Sequence, residues 1–222
     1  MIAKKNIMVL DTETADLTGN VYDVGYVITN KRGEVLTTYN ALVDEVITDP
    51  KKMMGAFFAR KLFSHYLPMI DAHTVRLTPW MRIVERMRQD MASYNVNVLA
   101  AYNLGFDARV MRQTHDLFGD GEPICSDLEM LDIWQFACET KLSQRAYKKL
   151  ARQMGWVSPV GNIRTGAEYA NRFCSGDWGF KEAHTALDDA LIETQILAKC
   201  YACKQRVPYG IINAHPWRIV NG

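Results

Sequence analysis

The sequence predicts an α/β domain in which a mixed sheet is layered against helices. Three observations carry this: strand patterns cluster in the first forty or so residues, one further strand follows a long helical pattern, and the second half is a run of helices. Strand order is left open by pattern alone.

Taken in order, Asn6–Leu10 is a short apolar run and Val21–Thr29 alternates as a second strand. Glu34–Val43 supplies a third after the turn residues Asn30–Gly33. Pro50 marks a break, and Lys51–Tyr66 turns helical, with Met54, Phe57, Phe58 and Leu62 on one side. Thr78-Pro79 then starts a helix, with threonine as N-cap and proline in the first turn; its stripe is Trp80, Val84, Met87 and Met91, and it ends near Tyr94. Asn97–Ala101 is a buried-type strand, followed by Gly105 and a helix from about Phe106 to Phe118. Ile124–Leu131 has no decisive period; one short strand fits it, leaving Asp132 to cap a helix over Ile133–Cys138. Ser143–Met154 forms a helix stopped by Gly155, Gly166–Phe173 a short one, and Thr185 to about Lys204 the last. Residues 1–206 are thus expected as one domain, with 207–222 an aperiodic tail of unassigned role.

At 222 residues and 48% hydrophobic composition, the chain has enough apolar residues for a sizeable core. No apolar run approaches the roughly 18–20 residues that span a bilayer. Met1–Asn6 leads directly into a strand pattern and lacks a secretory signal's apolar region. Five cysteines without framework spacing fit reduced thiols, so a cytoplasmic location is expected. A net charge of +1 argues against a sequence-independent duplex binder, yet an enzyme that engages one strand end needs few phosphate contacts.

The first strand runs into Asp11-Thr12-Glu13-Thr14, and residues two apart on a strand share a face, so two carboxylates lie side by side. Alone, this reads as a solvated strand end; its position at a sheet edge, where α/β proteins hold ligands, raises the signal. Asp107 follows another strand in Asn103-Leu104-Gly105-Phe106-Asp107, where a carboxylate also suits a helix N-terminus. In His184-Thr185-Ala186-Leu187-Asp188-Asp189-Ala190, Asp189 falls one turn into the last helix on its core-facing border, whereas Asp188 points outward. A carboxylate on that border needs a partner or a metal.

These three segments resemble the DEDDh family of 3′→5′ exonucleases. Asp-x-Glu-Thr matches Asp11–Thr14, Asn with Phe-Asp matches Asn103, Phe106 and Asp107, and His-x-Ala-x-x-Asp-Ala matches His184, Ala186, Asp189 and Ala190. The resemblance covers roughly residues 5–205 in one register. It implies a ribonuclease H-like three-layer fold with a mixed, roughly five-stranded sheet. It also implies Asp11, Glu13, Asp107 and Asp189 as ligands of two Mg²⁺ or Mn²⁺ ions, and His184 as general base. Thr14, Leu17, Asn103 and Phe106 become substrate contacts, with Leu17 wedged against the terminal base. Two departures, Asp16 for a glycine and Tyr102 for a histidine, bear on substrate preference rather than on a ligand.

Phosphodiester hydrolysis charges the non-bridging oxygens, needs an activated water and must stabilise a leaving alkoxide; two divalent ions about 3.5–4 Å apart serve all three needs. Hard cations take oxygen ligands, which suits Asp and Glu. Two carboxylates about 5 Å apart repel by roughly 3 kcal/mol at an effective dielectric near 20, so four of them call for cations. The expected substrate is the 3′ end of a single strand, DNA ahead of RNA, with any service to a polymerase in trans. The alternatives are an RNA-directed exonuclease, a non-catalytic nucleic-acid or polymerase-binding module and a ribonuclease H-like endonuclease. Arg145, Lys148, Lys149 and Arg152 form a stripe that reads as a solvated helix face or a phosphate path. Trp178 and Phe180 either cover the site or pack in the core, and Cys200-x-x-Cys203, without a second pair, is not a zinc site.

Overall fold

β1 (Asn6–Asp16) is one of the two middle strands of the computed structural model, which describes residues 6–16, 19–56, 60–122, 124, 127–203 and 206–222. Met8 and Leu10 turn to one side of the sheet and Ile7 and Val9 to the other, all buried, as the two-residue period of a strand requires. β2 (Gly19–Thr29) pairs antiparallel with β1, and β3 (Val35–Val43) antiparallel with β2. β1 outruns its apolar stretch because Asp11–Asp16 stay paired with β2.

Short helices α1 (Asp44–Ile47) and α2 (Pro50–Gly55), a π-turn at Leu62–Tyr66 and α3 (Leu67–Asp71) follow. The single helix expected over Lys51–Tyr66 is therefore broken: Ala56 is extended after α2, and Phe57 and Phe58 lie outside the described residues. β4 (Leu77–Thr78) runs parallel to β3 and precedes α4 (Trp80–Ser93). Thr78 is a strand residue rather than the helix cap; the Glu45 carboxylate accepts from Trp80 N at 3.0 Å and satisfies that helix start from a distance.

β5 (Val96–Ala101) adds parallel to β1, and α5 (Leu104–Phe118) follows it. β6 (Glu129–Asp132) lies parallel to β5, and Asp132 Oδ1 accepts from Gln135 N at 3.1 Å to cap α6 (Ile133–Ala137). A π-turn over Cys138–Leu142, α7 (Arg145–Gln153), α8 (Ala167–Ser175), α9 (Ala186–Tyr201) and α10 (Trp217–Asn221) complete the order.

Among the described residues the sheet is six-stranded, in the order β4-β3-β2-β1-β5-β6; the strand beyond the roughly five expected is the two-residue β4. α4 and α5 cover the Met8–Leu10 face with Trp80, Ile83, Val84, Met87 and Val110. The Ile7–Val9 face packs against Phe136, Tyr147, Ala170, Ile196 and Leu197 from α6 to α9. Each such large side chain contributes roughly 1.5–3 kcal/mol on burial, which makes both layers integral to the fold.

The tail is ordered by contacts rather than by a repeat, which is why no period signals it. Gly210 N donates to Met130 O, Asn213 Nδ2 to Gln135 Oε1, and Asn221 Oδ1 accepts from Ile163 N, while Val220 is buried. Among the described residues, no helix is long and apolar enough to cross a membrane.

Candidate active site

Asp11 and Glu13 continue the Ile7–Val9 face of β1 beyond its apolar stretch, and a register shift between Glu13 and Thr14 bends the strand there. α9 descends onto this face because Gly25, opposite Asp11 on β2, has no side chain. A Cβ at Gly25 would lie 2.2 Å from Leu187 N and 2.3 Å from Ala186 C, so the constraint is space, not backbone conformation.

Asp23, two residues from Gly25 on β2 and opposite Glu13, fixes the start of α9. Its carboxylate is fully buried and accepts from Ala186 N at 3.0 Å, Tyr66 OH at 2.9 Å and Asn40 Nδ2 at 2.7 Å. Burial pushes its pKa up, and those three donors oppose the rise. With its first turn held there, α9 presents Asp189 to the cleft, while exposed Asp188 accepts from Thr185 Oγ1 at 2.6 Å.

Asp107 comes from the opposite layer, in the first turn of α5. Thr12, whose side chain is on the α5 side of β1, donates Oγ1–H to Asp107 Oδ1 at 2.8 Å. α5 starts after Asn103, which is exposed and in the left-handed region at φ +72°. Glu193, one turn beyond Asp189 on α9, is 2% exposed and accepts from Tyr102 N at 3.0 Å. It ties the end of β5 to α9.

His184 precedes α9 with φ +55°, and its Nδ1 is 3.7 Å from Glu182 Oε2 and 4.0 Å from Asp189 Oδ2. Lys61 Nζ donates to Glu13 Oε1 at 2.9 Å and to His184 O at 2.7 Å, joining the strand to the approach segment. Ligand atoms of Glu13, His184 and Asp189 lie within 4.8 Å of one another.

The electrostatics match a crowded acidic cleft. Burial, then the charges of Glu193, Asp107, Asp189 and Glu13, hold Asp11 well above the usual carboxylate range. Burial raises Asp107 to about 7 against the hydrogen bonds from Thr12. Asp189 rises to about 8, through burial and then through Glu182 and Glu13. Glu182 reaches about 7, with burial first and Glu168 second. Glu13 is raised by burial, against the pull of Lys61. Desolvation, then Lys61, lowers His184 below its ordinary value.

The donor set fits a divalent cation. Among the described residues, Asp189 Oδ1 is buried without a hydrogen-bond partner, which is costly for a carboxylate unless something positive meets it. Asp11, Glu13, Asp107 and Asp189 offer the hard oxygen ligands that such ions take.

The five residues expected to form the site are thus brought to one end of β1. Of the expected substrate contacts, Thr14 is half-buried after the bend, and Asn103 and half-buried Phe106 stand at the start of α5. Arg109 lies over the Phe106 ring at 5.3 Å. Leu17 falls outside the described residues. Arg145, Lys148, Lys149 and Arg152 line an open groove of about 450 Å³ on α7. Trp178 is 43% exposed beside Trp156 at 6.2 Å, and Phe180 O accepts from Arg172 Nε. Cys200 is buried in the core on α9 and Cys203 lies just past its end, both as free thiols.

Lys61, Asp23, Glu182 and Glu193 were not anticipated. Asp23 had a signal, a charged residue inside the apolar run Val21–Thr29, and Glu193 had another, an acid among the buried positions of the last helix. Lys61 had none, because its partners lie 48 and 123 residues away.

No family model and no curated protein matches the sequence. Among solved structures the chain is similar to cell-death related nuclease 4 (CRN-4), with a TM-score of 0.59 and 14% identity over 92% of this chain. It spans 66% of the length of that structure. It is also similar to exonuclease X in complex with 5′ overhanging duplex DNA, with a TM-score of 0.47 and 15% identity, covering 97% of this chain and 99% of that one. At such identities the CRN-4 likeness speaks for the fold. The mixed α/β sheet flanked by helices is of the ribonuclease H-like type shared with that nuclease.

Proposed function

We propose that the chain is a divalent-metal-dependent 3′→5′ exonuclease that releases nucleoside monophosphates from single-stranded ends, DNA ahead of RNA. The observation that carries this is the convergence of carboxylates from β1, α5 and α9 on one cluster, with a buried Asp189 oxygen that has no hydrogen-bond partner among the described residues. A binding module has no use for so costly a cluster. That the fold is shared with a nuclease structure agrees with this reading.

Asp11, Glu13, Asp107 and Asp189 would hold Mg²⁺ or Mn²⁺. Bound there, two such ions supply charge neutralisation at the phosphate oxygens and lower the pKa of water. Hydrolysis joins a water oxygen to phosphorus and breaks the bond to the 3′ oxygen of the preceding nucleotide, which leaves with a proton. His184 takes the proton that the water loses. Its Nδ1 faces Glu182 and Asp189, which leaves Nε2 as the accepting atom, and its lowered pKa keeps the ring neutral near pH 7. Lys61 holds Glu13 and the His184 carbonyl in register, so strand and approach segment meet at one geometry. Thr14, Leu17, Asn103 and Phe106 are the proposed contacts to the terminal nucleotides.

Oligonucleotides blocked at the 3′ or the 5′ end, digested with Mg²⁺ or Mn²⁺, test this directly. The expected products are mononucleotides from the 5′-blocked strand only. Cleavage of a covalently closed circle, or activity indifferent to EDTA, would overturn it. Parallel digestion of single-stranded DNA and RNA assigns the preferred sugar.

A further inference from the structure

The tail 207–222 starts beside the end of α9, passes the start of α5 and reaches a second concavity. Gly210 N is bonded to Met130 O, and Ile212 then meets the first turn of α5, its Cγ2 3.1 Å from where a Cβ on Gly105 would sit. Gly105 is two residues from Asp107. Past Asn213, the tail reaches Trp217, which lines a groove of about 440 Å³ together with Trp134, Val160, Arg164, Thr165 and Tyr169. That volume is in the range of small-ligand sites.

The groove is joined to the carboxylate cluster through Tyr102. Its backbone N–H is held by Glu193, and its ring stacks on Trp134 at 6.3 Å with an interplanar angle of 22°. Trp134 Nε1 donates to Thr165 Oγ1 at 2.9 Å, and Tyr102 OH donates to Thr165 O, which sets the groove wall. Arg164 lies over Tyr169 at 5.8 Å and Arg218 over Trp217 at 5.5 Å. Both arginines are exposed. Neither 156–166 nor 206–222 contains an Asp or Glu, and Arg164 is the one charged residue among the described residues lining the groove, so its wall is aromatic with a single cation.

We propose that this groove is a subsite for an unpaired nucleotide upstream of the reacting 3′ end, with its base against the aromatic wall and its phosphate toward Arg164. The inference rests on reading the carboxylate cluster as a single-strand nuclease site. Aromatic faces hold any base by stacking, and cations follow the backbone without reading sequence. The tail supplies one wall and marks the route between the two places.

Fluorescence anisotropy of a labelled thymidine 12-mer in EDTA, with Trp217→Ala and Arg164→Glu, tests it. Each variant is expected to weaken binding roughly ten-fold, the loss of one stacked base or one phosphate contact. Arg164→Ala should lower the slope of log affinity against log salt by about 0.7, a change that mere loosening of the loop does not produce. With Mg²⁺, the ratio of kcat/KM for the 12-mer to that for a dinucleotide should fall by a similar factor. Unchanged 12-mer affinity in both Trp217→Ala and Arg164→Glu overturns the subsite. Failure of the parent protein to hydrolyse any oligonucleotide overturns the nuclease reading instead, while the binding arm still judges the groove.

Discussion

Asp189→Asn removes a charge without removing volume, and in metal-free protein it should stabilise the fold. Burial and the acids around it hold the Asp189 carboxyl at about 8, against 3.8 for an ordinary aspartate. Between those values the folded chain keeps a proton that the unfolded chain has released. The native state binds more protons, so stability falls as pH rises through that window. At about 1.36 kcal/mol per pH unit, the penalty at pH 7 is on the order of 4 kcal/mol, or about half that once relaxation and the solvated rim are allowed for. Asparagine does not ionise in either state and escapes it.

Thermal melts in EDTA read the effect. Near pH 8, Asp189→Asn should melt roughly 4–8 °C above the parent, a gap that closes toward pH 4. Millimolar Mg²⁺ or Mn²⁺ should raise the parent's Tm and leave the variant nearly unmoved, because binding to the native state alone stabilises by mass action. A variant less stable than the parent in EDTA near pH 8, or a gap independent of pH, would refute the picture of a crowded carboxylate waiting for a cation.

Other substitutions separate the remaining roles. His184→Ala should lose most hydrolysis yet keep the metal-induced rise in Tm, whereas Asp11→Ala loses both; unimpaired turnover in His184→Ala removes the general-base assignment. With Mg²⁺ saturating, so that the carboxylates stay ionised, the lowered pKa of His184 should put the acidic limb of kcat/KM below pH 6.5, and a limb above that value that does not move with Mg²⁺ concentration contradicts the role. Gly25→Ala should lower stability by about 3 kcal/mol through the collision with Ala186 and Leu187, read as a shifted urea midpoint with an unchanged slope. Lys61→Met removes a charged donor from Glu13 and should cost about 1.5–3 kcal/mol in metal-free protein; an unchanged melt would show that the contact is dispensable.

Much of the layout was legible because it rests on local periods. The two faces of β1 follow from alternation, and α4, α5 and α9 follow from their apolar stripes with boundaries shifted by a few residues. Where an element depends on a distant partner, local pattern misleads. Thr78-Pro79 has the chemistry of a helix start, yet Glu45 satisfies Trp80 N, and Thr78 pairs in β4. The stretch after Pro50 has a helical stripe but forms separate short helices. The tail is held by Gln135, Met130 and Ile163, none of which it resembles in pattern.

The same division holds in the cleft. Asp11, Glu13, Asp107, His184 and Asp189 are marked by short-range motifs, and their gathering follows once β1 and two helix starts share a sheet end. Asp23, Lys61 and Glu193 hold that arrangement through contacts between elements far apart in sequence. No spacing rule reaches across such separations, so only the folded chain exposes them.

Asn103 and His184 sit in the left-handed region, at φ +72° and +55°, immediately before α5 and the N-cap of α9. For a side chain with a Cβ this conformation is unfavourable by roughly 1 kcal/mol, less for asparagine, whose short polar side chain tolerates it, and glycine escapes the clash. Thermal robustness and chemistry therefore pull in opposite directions at these two positions. A library of this chain selected only for survival of heating should drift toward glycine, at His184 before Asn103, and with the roles proposed above the drifted clones should be sturdier and idle. Selection for turnover should restore the carboxamide and the imidazole, with the melting point slipping back as it does.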